Sequence, residues 1–193
     1  MSLYNFGKTL CTVILKPMYR FEISGLEHFP KEGPVILCSN HITNLDPPVV
    51  GICAPRQVHF MAKEELFKVP VLGEILLKIG TFPVKRGLSD REALRKGLKV
   101  LKDGEVLGLF PEGTRSRTGK LGKGLAGAGF FAARSDASVI PCAIIGPYQK
   151  FKPLKVVFGE PIDMTSLRDR KASAEETTLV IMDHIRQLLE KNS

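Results

Sequence analysis

The chain has 193 residues, 44% of them hydrophobic and 25% charged, the length and balance of one domain able to bury a sizeable core. Its 28 Lys and Arg against 20 Asp and Glu give a net charge of +8, which favours anionic partners such as lipid head groups, phosphate esters, nucleic acid or an acidic carrier protein. No uncharged apolar run approaches the roughly 18 to 20 residues of a membrane-spanning helix, and no apolar core followed by a small-residue cleavage site marks a secretory signal.

Residues 2–20 read as an amphipathic helix. On a helical wheel Asn5, Lys8, Thr9, Thr12, Lys16 and Arg20 share one arc, while Leu3, Phe6, Leu10, Cys11, Val13, Ile14 and Met18 share the other. Pro17 kinks or ends the helix. Three cations, no acid and a bulky apolar arc suit a helix lying in the interface of an anionic bilayer, and a helix packed on its own domain has the same pattern. The segment 65–79, ELFKVPVLGEILLKI, is framed by Lys63, Lys68 and Lys78 and is a second candidate for a membrane-facing element. The expected division is therefore a membrane-associating helix over residues 1–20 and an α/β domain over residues 21–193.

Short apolar or alternating runs at 21–24, 35–39, 57–61, 81–84, 106–110, 138–144 and 155–158 predict strands. Helical patterns are strongest at 89–102, 123–134 and 174–191. This alternation predicts an α/β fold, a single layered domain with a mixed or largely parallel sheet flanked by helices. Cys11, Cys38, Cys53 and Cys142 form no Cys-x-x-Cys pair and sit in apolar contexts, so they read as buried thiols of a reducing compartment, without a disulfide or a zinc site.

Chemistry concentrates where strands end. In VILCSNHITNLDPPVV the strand from Val35 runs into Asn40 and His41, and Asp46 follows just before Pro47 and Pro48. An offset of five does not stack side chains on one helix face, so His41 and Asp46 would pair across a turn, with Asp46 opening the next helix. There the Asp can accept from one imidazole nitrogen and leave the other to take a proton. The same Asp-Pro is also a good helix N-cap with proline at the first helical position, and it needs no catalysis. In VLGLFPEGTRSRTGK an apolar strand ends in a loop holding Glu112, Gly113, Thr114, Arg115, Ser116, Arg117 and Lys120. Gly113 lets backbone amides approach an anion, Thr114 and Ser116 offer hydroxyls, and Arg115 can grip a phosphate with two prongs. Glu112 either holds an arginine or bonds a substrate hydroxyl, and a solvated charged turn is the plain alternative. In GTFPVKRG, Arg86 offers a further cation just after a short strand. Pro141, inside the buried-looking run SVIPCAII, suggests an edge, a bulge or a wall near a ligand, with a plain core strand as the alternative.

In this order the four segments resemble the glycerophospholipid acyltransferase family, specifically the 1-acyl-sn-glycerol-3-phosphate acyltransferases, over residues 35–141. Asn40-His41 with Asp46 is similar to the family's His-x4-Asp block, and Gly80, Phe82 and Arg86 to its second block. Phe110 through Arg115 correspond to the third and Ile140-Pro141 to the fourth, while a chain without tryptophan lacks the aromatic that some relatives carry in the first.

The resemblance implies that His41, steadied by Asp46, is the general base on the 2-hydroxyl of lysophosphatidate, which attacks an acyl thioester directly to give phosphatidate. It implies that Arg86, Gly113, Thr114 and Arg115 hold the phosphomonoester and that Glu112 orients the glycerol. Acyl carrier protein or coenzyme A would carry the acyl group as co-substrate. No metal and no other cofactor is expected, and the implied place is the cytoplasmic face of an anionic membrane. Acylation of glycerol 3-phosphate or another lyso-lipid stands as the alternative acceptor chemistry. A hydrolase using Cys38 or Ser39 lacks a G-x-S-x-G elbow. A non-catalytic basic lipid-binding protein fits the charge, whereas nucleic acid finds no binding motif and only 7% aromatics.

Overall fold

Successive side chains of a strand face opposite sides of a sheet, and in Val35-Ile36-Leu37-Cys38 the two sets enter two different apolar cores. The computed structural model describes residues 3–85, 90–116 and 118–193. It opens with α1 (Leu3–Met18), β1 (Arg20–Ser24), β2 (Val35–Ser39), α2 (Asp46–Cys53) and β3 (Val58–Lys63). There follow α3 (Leu72–Lys78), β4 (Phe82–Val84), α4 (Arg91–Lys102), β5 (Val106–Leu109) and α5 (Gly127–Ala133). The chain closes with β6 (Ser138–Ile145), β7 (Pro153–Phe158), α6 (Thr165–Asp169) and α7 (Ala174–Asn192).

All seven expected strands are present, and they form one sheet in the order β1-β7-β6-β2-β5-β3-β4. β2 to β6 run in one direction and pair in parallel with one another, whereas β7 joins β6 antiparallel and β1 follows β7. The sheet is thus mixed and largely parallel. On one face Val35, Leu37, Ile140 and Val156 pack against Val49, Val50 and Cys53 of α2 and Leu15 of α1. On the other, Ile36, Leu107 and Val139 meet Leu101 of α4, Phe131 of α5 and Ile181 and Ile185 of α7.

The interior position of β6 removes the edge reading of Pro141. Cys142 pairs with Phe158 and Val139 with Ile162, so the neighbouring chain carries one extra residue across from Pro141. That bulge accommodates a residue with no N–H to give, while Gly159 N still donates to Pro141 O at 2.8 Å.

α1 turns one stripe inward. Leu15 is buried, as is Tyr19 just beyond the helix, and Tyr4 Oη donates to Gly51 O. Lys8, expected on the polar arc of a membrane-surface helix, instead donates to Ala54 O at 2.7 Å and so satisfies a carbonyl at the end of α2. Phe6, Leu10 and Val13 are 54%, 48% and 65% exposed. The segment after β3 is a 3-10 turn, Glu64–Lys68, and α3, divided by Pro70 rather than continuous. Among the described residues no helix is long and apolar enough to cross a membrane.

Candidate active site

Because β2 to β6 are mutually parallel, their carboxyl ends share one edge of the sheet, the position at which open α/β sheets hold ligands. A cleft of about 1660 Å³ opens there, and its lining includes His41 after β2, Lys63 at the end of β3, Lys85 after β4, and Gly113, Thr114 and Arg115 after β5.

His41 is fixed from both sides of its backbone. Preceding it, the buried Asn40 amide donates to Ile144 O at 2.9 Å and accepts from Ile144 N at 2.8 Å, which locks the end of β2 to the end of β6. His41 N donates to Glu112 Oε1 at 2.9 Å, and Ser116 N donates to His41 O at 2.7 Å. The imidazole stacks on Phe110, with centroids 4.2 Å apart and planes inclined by 23°.

His41 Nδ1 lies 2.7 Å from Asp46 Oδ2. An ionised carboxylate can only accept, so Nδ1 carries the proton and Nε2 the lone pair. Nε2 has no hydrogen bond among the described residues, and the side chain is 13% exposed on the cleft wall. Asp46 is fully buried, and five donors compensate its charge. Oδ2 also accepts from Ile42 N and Thr43 N at 2.6 and 2.7 Å, and Oδ1 accepts from Thr43 Oγ1 at 3.2 Å and Tyr148 Oη at 2.6 Å. The sequence pattern left open whether Asp46 caps a helix or faces His41. Leu45 is the N-cap, Asp46 is the first residue of α2, and its carboxylate turns back to the preceding turn. Pro47 then supplies a helical residue that needs no N–H partner.

The loop after β5 divides by depth. Glu112 is 6% exposed, and its other oxygen accepts from Gly122 N at 2.8 Å. Its carboxylate therefore bridges the His41 backbone to the loop entering α5, with no arginine among its partners in the described residues. Gly113 takes φ 64°, a left-handed turn closed by its N–H on Phe110 O at 2.9 Å. The turn throws Thr114 and Arg115 outward; both are exposed on the cleft, and neither has a hydrogen bond or ion pair among the described residues. Arg86 and Arg117 lie outside the described residues.

Three contributors were missed by the sequence reading. In the sequence Lys63 shows only as a cation framing residues 65–79 and Lys85 only as one beside a short strand, and Tyr148 follows a Gly-Pro turn. Burial, and then the Asp46 carboxylate, push the Tyr148 hydroxyl well above its ordinary pKa. Cys38 is fully buried, and burial drives its thiol far up, while Ser39 is also buried. Neither is available as a nucleophile at the cleft.

Comparison with known proteins adds four findings. A family model described as acyltransferase matches residues 20–145. The 1-acyl-sn-glycerol-3-phosphate acyltransferase of Bacillus subtilis (strain 168) is 32% identical over 167 residues, covering 83% of this chain and 82% of the relative. The chloroplastic 1-acyl-sn-glycerol-3-phosphate acyltransferase of Arabidopsis thaliana is 32% identical over 143 residues, and the match spans 40% of that longer protein. The crystal structure of the 1-acyl-sn-glycerophosphate acyltransferase PlsC from Thermotoga maritima superposes with a TM-score of 0.74 at 24% identity, over 96% of this chain and 78% of that one.

Proposed function

Since this chain belongs to the acyltransferase family, we propose that it moves a fatty acyl group from an acyl thioester to the 2-hydroxyl of lysophosphatidate, giving phosphatidate for phospholipid synthesis. The observation that carries the proposal is the His41 imidazole, its Nδ1 proton held by buried Asp46 and its Nε2 open to the cleft. A hydroxyl is a poor nucleophile until a positioned base takes its proton, and such help contributes about 100-fold to 10,000-fold. Nε2 takes the proton as the oxygen attacks the thioester carbonyl. The C–S bond then breaks, and the imidazolium returns the proton to the departing thiolate. The Asp46 carboxylate stabilises the imidazolium between these steps. The chemistry needs no metal or other cofactor, because the thioester itself is the activated reactant.

In this proposal Thr114, Arg115 and the amides around Gly113 hold the acceptor's phosphate, with Arg86 as a further cation. The guanidinium of Arg115, unpaired among the described residues and on the cleft wall, supports this assignment. Glu112 acts by holding the His41 amide. The acyl donor is acyl carrier protein or coenzyme A, and assay of each thioester with lysophosphatidate, glycerol 3-phosphate and other lyso-lipids separates the donors and the acceptors. The proposed place of action is the surface of an anionic membrane on its cytoplasmic side. The exposed arc of Phe6, Leu10 and Val13 supports that place, as do Val71, Ile75 and Leu77 nearby, where Ile79 closes on Gly7. By this reading residues 1–20 dock and residues 21–193 catalyse. Purified His41→Ala protein tests the base. It is expected to fold and to lose transfer by at least about 100-fold, with Asp46→Asn also badly impaired, and near-normal turnover by His41→Ala refutes the mechanism.

A further inference from the structure

Tyr148 stands on the loop joining β6 to β7, and nothing in the chemistry above uses it. Its hydroxyl donates to Asp46 Oδ1 at 2.6 Å, on the oxygen opposite the one that holds His41. The Asp46 donors other than Tyr148 all come from residues 41–43 of its own turn. Thr43 Oγ1, the second donor on Oδ1, is longer at 3.2 Å and also accepts from Leu45 N. The Tyr148 ring packs edge-on against Tyr19, with centroids 5.4 Å apart and planes at 82°. Its loop is tied to the end of α1 and the start of β1, since Phe151 N donates to Met18 O at 2.8 Å and Arg20 N to Lys152 O at 3.2 Å.

We propose that Tyr148 is a positioning residue for acyl transfer: its hydroxyl fixes the plane of the Asp46 carboxylate and draws charge from it, which sets how strongly Asp46 holds the proton on His41. This inference rests on the His41–Asp46 reading given above. A carboxylate that accepts from several donors presents less charge to each, so a bond to Oδ1 weakens the pull of Oδ2 on an imidazolium. Burial keeps the tyrosine protonated, so it remains a donor across the working range. Among the described residues, the other titratable or charged groups around the dyad are Glu112 on the His41 amide, Tyr19 behind Tyr148, and Lys63, Lys85, Asp90, Arg115, Arg134 and Glu175 on the cleft wall. All of them remain when the Tyr148 hydroxyl is removed.

Tyr148→Phe deletes the hydroxyl and keeps the ring against Tyr19. A stronger carboxylate then holds the proton on the imidazolium more tightly. The acid limb of kcat/KM for lysophosphatidate is expected to move up by about 0.5 to 1 pH unit, with the greatest loss of rate on the acid side. A nitrogen-15 NMR titration of His41, assigned by comparison with His41→Ala, is expected to show the same displacement. Placing 3-fluorotyrosine at position 148 gives a more acidic, stronger donor and moves both readouts the other way. A purely structural Tyr148 lowers the melting temperature and the rate equally at every pH, and an unmoved limb overturns the proposal. Should Tyr148→Phe fail to fold, an unmoved limb in the 3-fluorotyrosine protein overturns it equally. An inactive His41→Ala beside a Tyr148→Phe with the wild-type limb sinks this inference alone, whereas an active His41→Ala sinks the dyad and this inference with it.

Discussion

Replacing Glu112 with Gln preserves the size of the side chain but removes one of its two acceptor oxygens. Glu112 is 6% exposed and joins His41 N and Gly122 N at 2.9 and 2.8 Å. In the variant one backbone amide keeps an oxygen, and the other faces an NH2 group that can only donate. The loss is one charge-assisted bond, roughly 1.5 to 3 kcal/mol, with a buried donor left unpaired. For a domain of this length the melting temperature should fall by about 4 to 10 °C. Rotating the amide lets the variant keep whichever bond is stronger, so either the His41 backbone or the loop entering α5 loosens. Freeing His41 displaces the base, and kcat should fall at least about tenfold, with little change in the KM for either substrate. Differential scanning fluorimetry and steady-state kinetics with both substrates varied make the test. An unchanged melting temperature with a large rise in the KM for lysophosphatidate refutes the brace and makes Glu112 a ligand of the glycerol.

Two further outcomes follow from the same surfaces. Arg115→Ala should raise the KM for lysophosphatidate by about 10-fold to 100-fold, because a charge-assisted contact is worth roughly 1.5 to 3 kcal/mol, and should leave the KM for the acyl donor nearly unchanged. An equal effect on both substrates, measured by initial rates, removes Arg115 from the phosphate. Changing Phe6, Leu10 and Val13 together to Ser should release the protein from anionic vesicles in co-sedimentation while its circular dichroism stays the same. The three side chains are 48% to 65% exposed, and burying them supplies a few kcal/mol at about 25 cal/mol per Å². Equal binding by both folded proteins moves the lipid contact to another surface.

The strands were legible because each is short, apolar and bounded by turn residues, and all seven lie within one or two residues of the runs that marked them. The helix expected over 123–134 is α5 only, and it begins at Gly127. The segment before it is spent on contacts that a pattern does not reveal. Gly122 N reaches Glu112, and Leu125 N donates to Pro111 O at 2.8 Å. A Cβ on Gly124 would come within 2.6 Å of Thr178 and 2.7 Å of Met182, so α7 passes too close for a side chain. The expected start at Ser89 lies outside the described residues, and α4 begins at Arg91 behind Asp90, which accepts from Glu92 N and Ala93 N. The five-residue α6 carries too little periodicity to be seen. In the site, the five-residue offset allowed His41 and Asp46 to pair across a turn but allowed a plain helix cap as well, and only the family resemblance favoured the pair. Tyr148 was not readable, because it reaches Asp46 across 102 positions of sequence.

That long reach reflects how a largely parallel sheet builds a site. Each of β2, β5 and β6 ends at the same edge, yet the loops that follow go to different layers, so nothing local holds them together. The backbone of residues 40 and 41 supplies the join. Asn40 pairs with Ile144 of β6, His41 N with Glu112 after β5, and His41 O with Ser116 further along that loop. Tyr148 closes the circuit by returning from the β6 end to Asp46. Every one of these bonds is buried or partly buried, where a lost partner leaves an unsatisfied group rather than a hydrated one. Damage to any one of the three loops therefore reaches His41, whichever loop bears the substitution. Arg115 and Thr114, thrown outward by the Gly113 turn, take no part in the circuit, so the proposed phosphate ligands can change without moving the base.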